Sequence, residues 1–215
     1  MITVIGNLKG GSGKSTVAFN LAVWLAVHGE RVSAFDLDPQ RTLTDVSEVR
    51  SDEGYTPLFS LHYGGAALVD DLTSKSGEVI VDVGTADMEA LKSALSVADR
   101  IVIPVPPSQA DIWSTQRFLG MISRLTRDKP PQVCVFVNRA DTHHSIRESD
   151  EAEEALEDLD GVTLIKNRLH QRTAYRRSFS EGVGVFELVP WSKASKEFKA
   201  FAGILYPETR ERGGK

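Results

Sequence analysis

Short apolar runs alternate with amphipathic segments along most of the chain. The runs are rich in valine and isoleucine and cover residues 2–6, 32–35, 79–83, 101–105, 133–137 and 162–165. Segments with helical periodicity cover residues 15–28, 43–50, 87–97, 112–127, 149–159 and 192–205. Strands that are apolar throughout and separated by helix-length spacers are typical of a parallel sheet with helices on both faces. The pattern therefore predicts a doubly wound α/β fold with a mostly parallel sheet.

The length of 215 residues favours one domain. We expect this domain to span residues 1–207 and to be followed by a polar, frayed tail over residues 208–215. The single cysteine, Cys134, cannot form an internal disulfide or a thiolate cluster for a metal, which favours a reducing compartment. No apolar run approaches 18 residues. We therefore expect a cytoplasmic protein without a membrane segment.

A glycine-rich loop joins the first predicted strand to the first predicted helix. It reads Lys9-Gly10-Gly11-Ser12-Gly13-Lys14-Ser15-Thr16. Glycines let backbone N–H groups close around phosphate oxygens, and the following helix N-terminus adds a partial positive charge. Lys14 is then able to reach the β- and γ-phosphates, and the Ser15 hydroxyl to bind Mg²⁺. The loop therefore predicts a nucleoside triphosphate site.

This loop resembles the deviant Walker A motif of the ParA/MinD ATPases, whose signature lysine corresponds to Lys9. Four further stretches resemble that family in the same order: 35–40 (FDLDPQ), 79–82 (VIVD), 96–108 (SVADRIVIPVPPS) and 137–139 (VNR). Together they cover residues 1 to about 140. One departure is that Asp82 is followed by Val83-Gly84-Thr85 rather than by a small residue and prolines. The chain also begins at the first strand, so it resembles the short ParA proteins that lack an operator-binding domain.

The resemblance implies a P-loop ATPase that uses ATP and Mg²⁺, with roles for particular residues. Lys9, Lys14 and Asp38 would serve catalysis, with Asp38 orienting the attacking water and Lys9 reaching the nucleotide of a dimer partner. The magnesium shell would involve Ser15, Asp36 and Asp82. The predicted ATP-binding residues are Lys9, Gly10, Gly11, Ser12, Gly13, Lys14, Ser15, Thr16, Asn138 and Arg139, the last two on the adenine side.

Some of these residues also have ordinary structural interpretations. In these interpretations Asp38, which precedes Pro39, is a turn residue. Lys9 is then a solvated surface lysine, and Asn138 is a turn asparagine. Composition alone does not separate these interpretations from the functional ones.

Charge is distributed unevenly although the formal net charge is only −5. Residues 163–215 hold 11 Lys or Arg against 5 Asp or Glu, whereas residues 1–162 hold 14 against 25. A basic final quarter suggests a polyanionic partner. The predicted contacts to the DNA backbone are Arg168, Arg172, Arg176, Arg177, Lys193, Lys196 and Lys199. A solvated helix face is the alternative interpretation of the same residues.

The resulting functional hypothesis is a ParA-type ATPase. It would form an ATP-dependent homodimer, bind nonspecific DNA at the nucleoid, and position cargo while a ParB-like or McdB-like partner stimulates a slow hydrolysis. The cargo could be a plasmid, a chromosome segment or a carboxysome-like body. The alternatives are a MinD-like division-site regulator, which the mixed-charge C-terminus disfavours, and a P-loop metabolic kinase or synthetase.

Overall fold

A central sheet of parallel strands carries the fold, and the computed structural model describes residues 1–143 and 147–209 of it. The strands are β1 (Ile2–Ile5), β2 (Val32–Asp36), β3 (Ser60–Tyr63), β4 (Glu78–Asp82), β5 (Arg100–Val105), β6 (Gln132–Ala140), β7 (Thr163–Leu164) and β8 (Leu169–His170). Their order is β3-β2-β4-β1-β5-β6-β7, and β8 pairs with β6. All of these pairings are parallel, which confirms the predicted sheet.

Helices cover both faces of this sheet. They are α1 (Lys14–Val27), α2 (Thr42–Asp52), α3 (Val69–Ser74), α4 (Met88–Val97), α5 (Gln109–Leu125), α6 (Glu148–Glu157), α7 (Thr173–Ser180), α8 (Val185–Leu188) and α9 (Lys193–Leu205), with a 3₁₀ turn at Ala66–Leu68. One buried core contains Phe19 of α1 with Phe198 of α9. A second core contains Leu91 of α4 with Phe118 of α5. Two separate cores on one sheet confirm the doubly wound class.

The C-terminal part is joined to α2 by one buried arginine. The Arg50 guanidinium is 1% exposed and donates to both carboxylate oxygens of Glu187 at 2.9 and 3.0 Å. It also donates to the Gly182 carbonyl at 3.2 Å. A Cβ at Gly182 would lie 2.6 Å from the Arg50 backbone nitrogen, so a glycine is required there. Arg50 belongs to α2, which follows the loop after β2, whereas Gly182 and Glu187 belong to the α7–α8 segment. These contacts therefore link the position of α7 and α8 to that of α2.

The structure describes only the first two residues of the predicted tail, residues 208–215. Thr209 is buried, and its hydroxyl accepts a hydrogen bond from the indole nitrogen of Trp24 at 3.0 Å. Residues 210–215 of that tail lie outside the described residues. No helix in the described part of the chain is long and apolar enough to cross a membrane.

Candidate nucleotide-binding site

The carboxyl ends of β1, β2, β4 and β6 open onto a cavity of about 660 Å³. Its walls are the loop after β1, the loops after β2 and β4, the end of β6, and the segment from β8 into α7. Ligands of open parallel sheets bind at this edge, because the loops and helix N-termini converge there. The predicted phosphate loop therefore lies where a ligand site is expected.

The phosphate loop has the backbone that its glycines predict. Gly11 and Gly13 adopt φ angles of 73° and 91°, and Gly13 caps the start of α1. A Cβ at Gly13 would lie 2.5 Å from the Asn138 side-chain nitrogen. The start of the loop is anchored to the sheet, because Asn7 accepts from the Lys9 amide and donates to the Pro104 carbonyl. The free amides at the start of α1 thus lie at the cavity.

The two lysines of the loop point to different places. Lys14 lines the cavity, and its ammonium donates to the Lys9 carbonyl at 3.2 Å. The Lys9 ammonium instead pairs with Asp111 in the first turn of α5, also at 3.2 Å, and the Ser108 hydroxyl contacts the same carboxylate oxygen. The Lys9 side chain remains 41% exposed. Lys14 is therefore placed to meet the nucleotide of its own chain, whereas Lys9 is not.

Asp82 has the properties of a cation ligand. It ends β4 beside Ile5 of β1 and Asp36 of β2, and it is fully buried. Neither of its carboxylate oxygens has a hydrogen-bond partner among the described residues. Burial raises the pKa of Asp82 to about 7; the Asp36 and Asp38 carboxylates add to this shift, while nearby Ser15 and Lys14 oppose it.

An unpaired buried carboxylate is unfavourable unless a cation or a proton neutralises it. Carboxylate and hydroxyl oxygens are the ligands that Mg²⁺ prefers, and Ser15, which lines the cavity, lies close to the Asp82 carboxylate. The residues present therefore fit a Mg²⁺–nucleotide.

The loop after β2 places two carboxylates differently. Asp36 is buried and accepts hydrogen bonds from the backbone and hydroxyl of Thr44, both at 2.8 Å, and from the Asp38 amide at 3.2 Å. Burial raises the pKa of Asp36, and the three hydrogen bonds oppose that shift. With both oxygens engaged, Asp36 is suited to fixing this loop, and its role in the magnesium shell stays a prediction.

Asp38 lines the cavity and faces the loop after β4. A Cβ at Gly84 would lie 1.8 Å from an Asp38 carboxylate oxygen, so a larger residue at position 84 would displace the Asp38 carboxylate. The other oxygen accepts from the Gln40 amide at 3.0 Å. The Asp38 carboxylate is thus held at the cavity wall, where a water-orienting group is needed, and this role also stays a prediction.

The end of β6 braces the phosphate loop from outside. The Asn138 amide donates to the Ser12 carbonyl at 2.7 Å, and Arg139 donates to the Gly11 carbonyl at 2.6 Å and to Gln171 at 3.1 Å. Both Asn138 and Arg139 line the cavity, yet their donor groups hold the loop. The observed role of Asn138 is to hold the phosphate loop. Its contact with the adenine base stays a prediction.

The end of the cavity away from the phosphate loop involves residues that sequence reasoning did not assign there. Arg172, Tyr175 and Phe198 form part of its wall. Arg172 is held by Glu197 of α9, with a shortest distance of 2.5 Å, and the buried Tyr175 hydroxyl has no partner among the described residues. No local motif marks these residues, because they come together only through the packing of α7 and α9.

The seven predicted DNA-binding cations differ in their surroundings. Arg168 pairs with Asp150 and Glu153, Arg172 pairs with Glu197, and Arg177 pairs with Glu181. Arg176 is exposed at the mouth of the cavity. The remaining three, Lys193, Lys196 and Lys199, are exposed on α9. These residues therefore do not form one uniform patch of free charge, and their contact with DNA stays a prediction.

Comparisons with known proteins agree with this geometry. Residues 3–195 match the "CobQ/CobB/MinD/ParA nucleotide binding domain" family. The "maintenance of carboxysome distribution protein A" of Halothiobacillus neapolitanus is 29% identical over 189 residues, which cover 86% of each chain.

Two solved structures show the same fold. Apo McdA from Cyanothece superimposes with a TM-score of 0.78, 20% identity and 99% coverage of both chains. The septum site-determining protein MinD from Pyrococcus horikoshii, solved with Mg-ADP, gives a TM-score of 0.74 at 18% identity and covers 100% of this chain and 99% of its own. At these identities the structural likeness shows the fold alone.

Proposed function

The chain belongs to the CobQ/CobB/MinD/ParA family of nucleotide-binding domains, and on that premise we propose that it is a ParA-type ATPase that positions cargo. In this proposal ATP and Mg²⁺ drive the formation of a homodimer, the dimer binds DNA without sequence preference, and a partner protein stimulates hydrolysis and release. The cycle takes place in the cytoplasm, on the nucleoid.

The position of Lys9 carries the proposal. A complete phosphate loop needs one lysine for its own nucleotide, and Lys14 fills that role from inside the cavity. Lys9 belongs to the same loop, but its ammonium lies outside the cavity and is paired with Asp111 at 3.2 Å. The Lys9 side chain is 41% exposed and the Ser108 hydroxyl also contacts the Asp111 carboxylate, so Lys9 can exchange this pair for a phosphate without leaving Asp111 unpartnered. We propose that this phosphate belongs to the nucleotide of a second copy of the chain.

Hydrolysis requires neutralised phosphate charge and an oriented water. In this proposal Lys14 and the amides at the start of α1 supply positive charge, and Ser15 and Asp82 hold the metal; the unpartnered oxygens of Asp82 support that role. When bound, Mg²⁺ would stabilise the negative charge that develops on the phosphate oxygens. Asp38 is the candidate for orienting the water, since its carboxylate is fixed at the cavity wall by the Gln40 amide.

The cargo is assigned to a class rather than to one object. A relative named for carboxysome distribution, matched over 86% of its length, supports cargo positioning, and the family also includes ParA proteins. We therefore propose a plasmid, a chromosome segment or a carboxysome-like body as cargo, with a ParB-like or McdB-like protein as the stimulating partner. The basic residues of the final quarter of the chain are the proposed DNA contacts.

The decisive experiment measures mass in solution. Asp38→Ala should slow hydrolysis and trap the ATP state, so size-exclusion chromatography with light scattering should show a dimer with ATP and Mg²⁺ and a monomer with ADP. Lys14→Ala combined with Asp38→Ala is the matched control, because it removes the lysine that binds the nucleotide and should stay monomeric. A monomer in every condition would overturn the proposal.

A further inference from the structure

One exposed tryptophan lies beside the lysines of α9. Trp191 is 77% exposed, more than any other large apolar side chain in residues 1–143 and 147–209. It directly precedes Ser192, which caps α9 and accepts from the Ser195 amide at 3.1 Å. We call Trp191, Lys193, Lys196 and Lys199 the tryptophan–lysine ridge. Resting on the proposed function, we propose that this ridge is the surface that contacts duplex DNA, with Trp191 packing against the DNA between lysine-bound phosphates.

The ridge holds Trp191 in a fixed position. The carbonyl of Pro190 accepts hydrogen bonds from the Ser195 hydroxyl at 2.8 Å and from the Lys199 ammonium at 3.3 Å. The Ser192 amide also donates to the Val189 carbonyl at 3.0 Å. The backbone on both sides of Trp191 is therefore tied to α9. An exposed indole on a fixed backbone loses little conformational entropy when it is buried against a partner.

The charge of the ridge is not neutralised by its own helix. Lys193 and Lys196 pair with no carboxylate among the described residues, and Lys199 contacts only a neutral carbonyl. The one acidic residue of this stretch, Glu197, lies one turn after Lys193, but its carboxylate is bound by Arg172. By contrast, Arg168 and Arg177 already have carboxylate partners. Releasing those partners would offset the gain from binding a phosphate.

The spacing of the ridge suits a polyanion. Lys193, Lys196 and Lys199 follow one another at intervals of three residues, which corresponds to about 9 Å along a helix. Duplex DNA carries one negative charge about every 1.7 Å of its axis when both strands are counted, so a 9 Å length of duplex holds about five phosphates, shared between its two strands. The indole adds an N–H donor for a phosphate oxygen and an apolar ring for the sugar edges of the minor groove.

An anionic lipid surface is the competing partner, and the packing of α9 disfavours it. Lipid binding by a helix requires an exposed apolar face. The apolar face of α9 is buried in the core through Phe198, Phe201 and Leu205. Trp191 is then the one large apolar group of the ridge, whereas its three lysines have no carboxylate partner among the described residues.

Salt titrations separate the two components of the ridge. The affinity for a fluorescently labelled DNA duplex is measured by fluorescence polarisation, with ATP and Mg²⁺, at several salt concentrations. All variants carry Asp38→Ala, and light scattering checks in parallel that each one is a dimer. Replacing Lys193, Lys196 and Lys199 by Gln keeps a hydrogen-bond donor for the Pro190 carbonyl. This triple variant should have a lower affinity for DNA. The slope of log K against log salt concentration should fall in magnitude by about 2.7 for each ridge that contacts DNA. Trp191→Ala should lower affinity about tenfold and leave the slope unchanged, because it removes no charge, and Trp191→Phe should recover part of that affinity.

Matched controls use residues of the same type. Trp113→Ala removes another exposed indole, on α5, and Lys129→Ala removes an exposed cation that is paired with Asp99 and lies outside the final quarter of the chain. Neither should change DNA affinity. In a Trp113→Phe variant, Trp191 is the one exposed tryptophan among the described residues and Trp24 is buried. DNA should therefore quench the tryptophan fluorescence of this variant.

Each alternative outcome has a separate meaning. ATP-dependent DNA binding that survives the ridge variants leaves the proposed function standing and overturns this inference. No DNA binding by the dimer at low salt overturns both. Binding to phosphatidylglycerol vesicles that requires Trp191, without an effect of Trp191 on DNA affinity, assigns the ridge to lipid. Loss of ATP-dependent dimerisation in the ridge variants assigns it to an interface between copies.

Discussion

Replacing Asp82 by Asn should stabilise the protein at pH 8 when no metal or nucleotide is present. Asp82 is fully buried, and neither carboxylate oxygen has a hydrogen-bond partner among the described residues. Asn has almost the same shape and no charge. The substitution therefore removes an unfavourable buried charge without opening a cavity, at the expense of a group that the proposed function needs.

The size of the effect follows from the pKa of Asp82, which burial raises from 3.8 to about 7. Because the folded-state pKa is raised, the carboxyl contributes stability that is fully present below pH 3.8 and is lost as pH rises through about 7. The complete shift corresponds to about 4 kcal/mol. Between pH 5 and pH 8, the stability advantage of Asp82→Asn over the unmodified protein should grow by about 3 kcal/mol.

Chemical denaturation at pH 5 and pH 8 measures this difference directly. Asp99→Asn is a control of opposite sign, because a hydrogen bond from the Ile2 amide holds the pKa of Asp99 below its usual range. That variant should be less stable than the unmodified protein at pH 8, with the loss shrinking at low pH. Adding Mg²⁺ and ATP should stabilise the unmodified protein more than Asp82→Asn. An Asp82→Asn protein that is less stable at pH 8 without ligands would refute the reasoning.

Three further predictions concern other parts of the molecule. Lys14→Ala should abolish nucleotide binding in a fluorescent-nucleotide titration, whereas Lys9→Ala should keep most of it and lose dimerisation by light scattering; equal losses of affinity would contradict separate roles. Gly13→Ala should weaken nucleotide affinity by about tenfold, since φ is 91° and a Cβ would lie 2.5 Å from the Asn138 side-chain nitrogen, while Gly120→Ala, in α5 with nothing within 4 Å, should bind normally. Arg50→Met should lower the free energy of unfolding by about 1–3 kcal/mol in chemical denaturation, because the half-buried Glu187 carboxylate and the Gly182 carbonyl lose their donor, and an unchanged midpoint would contradict the bracing role.

The parts of the fold that could be predicted are those with a local pattern. The apolar runs at residues 32–35, 79–83 and 101–105 match β2, β4 and β5 to within one residue at each end. The edge strand β3 was not predicted, because Ser60–Tyr63 is short, mixed in polarity and half exposed. Strand β6 extends to Ala140 beyond its apolar run, since Asn138 and Ala140 pair with β8, a contact between segments about 30 residues apart.

The same limit applies to the candidate site. The phosphate loop is contiguous, so its residues could be identified from spacing alone. Asp111 could not, since it is 102 positions from Lys9 and meets it only because β1 and β5 are neighbours in the sheet. Glu197 lies 25 positions from Arg172 in sequence and meets it only through the packing of α9 against the start of α7. Partners of this kind follow from strand order and helix packing, which the order of residues does not state.

A count of charged residues in the sequence does not show which cations have carboxylate partners in the fold, and this affects the prediction of DNA binding. The final quarter of the sequence suggested DNA contact because it holds an excess of cations, yet a count gives every cation equal weight. In the folded chain Arg168, Arg172 and Arg177 are already neutralised by carboxylates, two of which come from the acidic helix α6. A cation contributes to DNA affinity by replacing counterions on phosphate, and a cation with a carboxylate partner must first give that partner up. The electrostatic argument for DNA therefore depends mainly on the lysines of α9, and it becomes testable at that helix rather than across the whole C-terminal segment.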